Sequence, residues 1–200
     1  DVDSACTAVS AVIGQGIVPA ALEMMDALAI RAVQNVTNAG YPDNAGAVLL
    51  VELEGLQEEV DEVGAEIEAA LWETGASQVK AAETPEEREA LWVGRKGALG
   101  ALGSLAPNYY LVDGVVPRTQ LTRVLRQVTQ ISERYGIPIA NVFHAGDGNL
   151  HPCLLFDERQ PGALQKIIDA GADILRACVA AGGTLTGEHG VGLEKKELMP

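Results

Sequence analysis

Apolar residues follow two alternating rhythms along the chain: stripes spaced three or four apart, and short, nearly continuous runs. Leu56, Val60, Val63, Ile67, Ala70 and Leu71 form a stripe, with Glu58, Glu59, Asp61, Glu62, Glu66 and Glu68 on the other faces, which predicts a helix with one buried side. Leu121, Val124, Leu125, Val128 and Ile131 repeat the pattern and stop near Gly136. Leu164, Ile167, Ile168, Leu175, Cys178 and Val179 repeat it again and stop at Gly182-Gly183. Glycine is a common helix stop because it takes left-handed backbone without strain. Thr84-Pro85-Glu86-Glu87 predicts a helix start, with a capping hydroxyl, a first-turn proline and acids at the positive end of the dipole. Residues 5–14 predict a short helix, and residues 20–34, following Pro19, a longer one.

The short apolar runs 47–53, 77–81, 109–116, 137–144 and 149–156 predict strands. Residues 38–44, with Gly40 and Pro42, predict a loop, and the glycine-rich stretch 184–192 irregular backbone. Strands and helices are mixed, with at least one hairpin. The expected fold is therefore α+β, a largely antiparallel sheet with helices packed on one side in the ferredoxin-like manner.

At 200 residues the chain is of single-domain size. Only 4% of it is aromatic against 48% apolar, and with 29 alanines the core has to be aliphatic. Charge changes the picture further. Residues 1–79 carry 14 acids and one base, Arg31, whereas residues 80–200 carry 14 acids and 13 bases. Nucleic acid and anionic membrane surfaces need clustered Lys and Arg, so the acidic charge disfavours both as direct partners. The acidic half reads as a solvated helix face. Cys6, Cys153 and Cys178 are widely spaced and odd in number, as expected of small buried hydrophobes in a reducing, cytoplasmic compartment. No apolar run approaches the roughly 18 residues that span a bilayer, and no signal-peptide start is present. With Asp1 first and Pro200 following a charged run, the sequence reads as a fragment of a longer soluble protein.

All three histidines fall in two glycine-flanked segments. The first is His144-Ala145-Gly146-Asp147-Gly148-Asn149-Leu150-His151. If Asp147-Gly148 is a two-residue hairpin turn, His144 stands directly opposite His151, with Cβ atoms about 5 Å apart. Two imidazoles so placed converge on one metal ion. The second segment, Gly187-Glu188-His189-Gly190, offers a carboxylate as third ligand, and two His with one carboxylate suit a catalytic Zn²⁺ or a non-haem metal with open positions. The glycines allow backbone irregular enough for Glu188 and His189 to enter one site. Residues 97–103, with glycine at every third position, lack phosphate-loop spacing and read as helix packing or loop. Arg95 and Lys96 are candidate anchors for an anionic substrate, with a solvated helix face as the plainer reading.

Both histidine segments, together with Gly16 to Asp26, Leu91-Trp92-x-x-Arg95-Lys96 and Asp113-Gly114-x-x-Pro117-Arg118, resemble the C-terminal domain of FAD-linked oxidases, in the branch of glycolate oxidase GlcD-like and D-lactate dehydrogenase-like flavoproteins. The resemblance spans nearly the whole chain and implies one domain over residues 1–200, the cap or substrate side of an enzyme whose FAD is bound mainly by a separate N-terminal domain. It implies His144, His151 and Glu188 as ligands of a divalent metal, with Zn²⁺ the expected ion. His189 is then the catalytic base, Arg95 holds the substrate carboxylate, and His144 and His151 also face the substrate. Relatives specific for 2-hydroxyglutarate carry a Thr and an Asn where Leu99 and Cys153 stand, so the implied substrate is a small D-2-hydroxy acid such as glycolate or D-lactate. Implied partners are the FAD domain and an iron-sulfur subunit, with partner subunits placing the cytoplasmic protein peripherally at the inner membrane. Two other classes remain open on the sequence: a non-catalytic subunit-docking domain of the same fold, and a metal-dependent hydrolase or lyase acting without flavin.

Overall fold

In a computed structural model that describes residues 1–37, 39–42 and 44–199, the chain runs α1 (Val2–Gly14), β1 (Ala21–Asp26), α2 (Ala27–Val36), β2 (Ala47–Glu52), α3 (Gln57–Glu73), α4 (Pro85–Ala101), β3 (Asn108–Leu111), β4 (Gly114–Val115), α5 (Leu121–Tyr135), β5 (Ile139–His144), β6 (Asn149–Leu150), β7 (Pro152–Phe156) and α6 (Ala163–Ala180). The fold is α+β around an antiparallel sheet, as the sequence predicts. Strands lie in the order β2, β1, β5, then β6 and β7 end to end, then β4 and β3 end to end.

Side chains alternate between the two faces of a strand, and here each face has its own core. Met24, Phe143 and Leu154 pack with residues of α1, α5 and α6, whereas Met25, Val142 and Cys153 pack with residues of α2 and α4. Helices thus cover both faces, where one-sided cover was expected. Strands buried on both sides lose the polar-apolar alternation that would have shown it.

The same effect accounts for the principal departure among the elements. Residues 20–34 are not one helix: β1 occupies the first part and α2 begins at Ala27. Five of the six residues of β1 are buried, and Leu, Glu and Met favour helices intrinsically, so tertiary packing overrides propensity. Asp26 separates the two elements, its carboxylate accepting from the Ala29 N–H at 2.9 Å as the N-cap of α2. Residues 77–81 form no strand. They run as a largely exposed connection from α3 to α4, with only Val79 half-buried, so no apolar side exists to hold them against the sheet. Residues 97–103 end α4 and continue into a short 3-10 turn, with Ala98, Ala101 and Leu102 buried. Of the loop expected at 38–44, Asn38 and Asp43 lie outside the described residues.

Two predicted strands are each broken once. The 149–156 strand is interrupted at His151, and the 109–116 strand at Val112-Asp113. Register is the same on both sides of the breaks, with Leu111 opposite Cys153 and Gly114 opposite Leu150. Asp113 therefore stands opposite His151.

Candidate metal centre

Met25, Val142, Cys153 and Leu111 lie on the sheet face beneath α2 and α4. Two positions further along each strand, hence on the same face, stand Glu23, His144, His151 and Asp113. The helices cover the first set, and the second lines the end of the sheet.

Histidines 144 and 151 come together by a register other than the two-residue turn predicts. His144 is opposite Asn149, so the turn comprises Ala145-Gly146-Asp147-Gly148, closed by Asp147 N–H to the His144 carbonyl at 3.2 Å. The longer turn is held from outside: Gly146 N–H donates to the Leu22 carbonyl at 3.0 Å, and Arg118 Nη1 donates to the Gly146 carbonyl at 2.9 Å. Gly148 closes the turn at φ +71°, where a Cβ would run into the Val116 carbonyl oxygen. The shift from prediction is two residues, so His151 keeps the face of His144. Their ring centroids are 5.3 Å apart.

Glu188 arrives from the irregular segment after α6. Its Oε1 lies 2.7 Å from His151 Nε2 and 3.8 Å from His144 Nε2. One donor atom from each of these three residues lies within 4.8 Å of the others, the only such grouping among the described residues that could hold a metal ion. The His189 ring stacks along that of His151 at 5.4 Å between centroids. His151 is buried, and burial depresses its pKa, which favours the neutral, ligating imidazole.

Glu23 was missed by the sequence reading. Its Oε1 is 2.7 Å from His144 Nδ1, and its Oε2 accepts from Arg95 Nη2 at 2.7 Å and Nε at 3.1 Å. Burial alone would raise its pKa; the His144 bond and the charges of Arg95 and His144 outweigh burial and hold the carboxyl below its usual range. The hydrogen bond to Glu23 raises the pKa of His144 in turn. A carboxylate on Nδ1 fixes the tautomer that aims Nε2 at the ligand position, the usual support of a metal-bound histidine. Arg95 thus joins the site through Glu23, with further N–H donors of its guanidinium not engaged by that bond. Asp113, also missed, is fully buried and accepts from the backbone of Gly187, Glu188 and His189. Both lie in segments that carry the family resemblance, which gave neither of them a role, and each is a carboxylate inside an apolar, strand-length run. Lys96 stays at the surface, paired with Glu89.

The donor set fits a divalent metal: two imidazoles and a carboxylate converge, one imidazole is oriented from behind, and Glu188, about half exposed, leaves an open side. Cys153 is fully buried, its thiol donating to the His151 carbonyl at 3.4 Å, and Leu99 packs against the α2/α4 core. Among the described residues, no helix is long and apolar enough to cross a membrane.

Known proteins resemble the chain over nearly its whole length. The chain is 45% identical over 194 residues to glycolate oxidase subunit GlcD of Escherichia coli K12, covering 97% of this chain and 39% of that protein. It is 38% identical to GlcD of Bacillus subtilis (96% and 41%) and 30% identical to a probable mitochondrial D-lactate dehydrogenase of Danio rerio (99% and 40%). It therefore spans about two fifths of the length of these relatives. Among solved structures, 4-ethylphenol oxidase from Gulosibacter chungangensis shares the fold, with a TM-score of 0.60 at 15% identity over 90% of this chain and 41% of that one. The family model for the C-terminal domain of FAD linked oxidases matches residues 1–200, and the chain belongs to that family.

Proposed function

We propose that the 200 residues are the substrate-side domain of an FAD-dependent oxidoreductase that converts a small D-2-hydroxy acid, glycolate or D-lactate, to the 2-oxo acid. The observation that carries this reading is the convergence of His144, His151 and Glu188 with a further imidazole, His189, alongside. A non-catalytic docking domain has no need of all four together, and membership of a flavin-linked family speaks against a flavin-free hydrolase or lyase.

His144, His151 and Glu188 would hold a divalent metal, Zn²⁺ being the expected ion. The chemistry a metal would supply there is polarisation of the substrate hydroxyl, as metal coordination lowers the pKa of water from 15.7 to about 7. His189, exposed and stacked beside His151, accepts the hydroxyl proton as the C2 hydrogen departs with its electron pair to the flavin. Arg95 steadies the substrate carboxylate by a charge-assisted bond while Glu23 holds the guanidinium in place. The redox chemistry is that of FAD on a separate domain, and this chain contributes orientation and electrostatics. Apolar Leu99 and buried Cys153 offer no second anchor for a dicarboxylate, which favours the monocarboxylate substrates. The setting is cytoplasmic, with an iron-sulfur subunit linking the protein peripherally to the inner membrane.

In the full-length enzyme, His189→Ala is expected to lower kcat by roughly 10²- to 10⁴-fold with the metal retained. His144→Ala/His151→Ala is expected to lose about one divalent ion per chain, read by elemental analysis. Near-normal turnover of glycolate and D-lactate by His189→Ala, or wild-type protein free of metal at neutral pH without chelator treatment, overturns the reading.

A further inference from the structure

The segment that delivers Glu188 and His189 has no regular structure of its own. It leaves α6 through Gly183, where a Cβ would run into the Val115 carbonyl oxygen, and Thr184 makes one isolated bridge to Val115. Beyond that bridge, the backbone is irregular up to a single 3-10 turn at Lys196–Leu198. A ligand on such a segment adopts a defined position only if something else fixes the chain.

One carboxylate does so. Asp113 accepts from Thr186 Oγ1 at 2.6 Å, from the N–H groups of Gly187 and His189 at 3.0 Å and of Glu188 at 3.3 Å, and from Lys195 Nζ at 3.3 Å. Lys195 Nζ also donates to the Asp113 carbonyl at 2.8 Å. Three successive backbone N–H groups turned to one anion form an anion-binding concavity, here filled by the protein's own side chain. Thr186 Oγ1 accepts in addition from Gly190 N–H at 2.8 Å, closing the segment on itself. Asp113 is fully buried and Lys195 nearly so. Neither charge can be left without the other in such surroundings, so strand end and tail are tied as a unit. Register puts Asp113 opposite His151, so the tie is made beside the ligand that Glu188 must reach.

We infer that Asp113 is the positioning residue of this site: with Thr186 and Lys195 it latches residues 186–190 so that Glu188 meets His151 and the His189 ring lies alongside. The inference rests on the proposed roles of His144, His151, Glu188 and His189. Asp113 itself touches neither substrate nor metal.

The test uses the full-length enzyme with its FAD domain. Asp113→Asn keeps the shape but leaves one acceptor oxygen and turns an amide N–H₂ toward the donors. It is expected to speed amide exchange at Gly187, Glu188 and His189 by at least about tenfold. Its Zn²⁺ dissociation constant should rise roughly 10- to 100-fold and kcat should fall, while the FAD absorbance spectrum and exchange in α5 and α6 stay as in wild type. Should Asp113→Asn fail to fold, Thr186→Val decides: it removes one donor from a half-buried position and shifts exchange and Zn²⁺ affinity in the same direction, and Thr186→Ser restores both. Unchanged exchange at residues 187–189 in Thr186→Val overturns the latch. Faster exchange with wild-type Zn²⁺ affinity and kcat overturns its positioning role. Wild-type enzyme that takes up no Zn²⁺ overturns the functional reading instead, and amide exchange in the Thr186 variants then judges the latch alone.

Discussion

Glu23 serves two partners with one carboxylate, its Oε1 on His144 Nδ1 and its Oε2 on Arg95. Glutamine in its place has one acceptor oxygen and must abandon one of them. Glu23→Gln in the full-length enzyme is therefore expected to weaken metal binding by roughly 10- to 100-fold, the usual effect of removing the group behind a ligating histidine. It should also raise KM, because Arg95 loses the partner that steadies it. Titration calorimetry with Zn²⁺ and steady-state kinetics read the two effects separately, and wild-type metal affinity in the variant would show that His144 needs no support. The residues visible from sequence were those whose chemistry stands out from their neighbours, the three histidines and Glu188 among glycines. The roles of Glu23 and Asp113 were hidden because each sits in a run otherwise fit for the core, two positions from Met25, which is core, and Leu111, which packs against it.

Elements were legible where burial is one-sided. Helices α3, α5 and α6 each bury a single stripe, and the stripe is written in the spacing of Ile67 and Ala70, of Val124 and Val128, and of Ile167 and Ile174. Strand β1 is buried on both faces and writes no alternation, so its apolar run passed for helix until Asp26 is seen as a cap. That residue is also where the two elements can be separated experimentally. Its Oδ1 caps α2, and its Oδ2 accepts from Asn141 N–H at 2.9 Å and Nδ2 at 2.7 Å, tying the helix start to β5. Asp26→Ala removes the cap, about 1 kcal/mol, and leaves the part-buried Asn141 donors on β5 without this acceptor, about 1–3 kcal/mol more. A loss of about 2–4 kcal/mol in urea-denaturation stability is the expected outcome. A loss below about 0.5 kcal/mol, the range of ordinary surface changes, would mean that water replaces the carboxylate without penalty.

At the scale of the whole molecule, one sheet carries two cores and, at its end, the site. Because β1, β5 and β7 send alternate side chains into each core, both cores rest on the same strands. The three cysteines report on this directly. Cys6 and Cys178 lie in the α1/α5/α6 core and Cys153 in the α2/α4 core. All are free and buried, and burial pushes their thiols up to about 11 for Cys6 and about 12 for Cys153 and Cys178. The thiolate is the reactive form, so in the folded 200-residue chain none is expected to react with a disulfide reagent at pH 8. Along a urea gradient, all three are expected to become reactive with one midpoint, coincident with the loss of far-UV circular dichroism, as a cooperative two-state unit requires. Labelling of Cys6 and Cys178 at lower urea than Cys153 would divide the cores into separate units. The sheet would then survive with one face stripped, keeping Glu23, His144 and His151 but losing the hold on the segment after α6 that brings Glu188 and His189. Coincident labelling instead makes the site's geometry a property of the whole fold, so that a cavity opened beside Cys178 loosens His151 as surely as one beside Cys153.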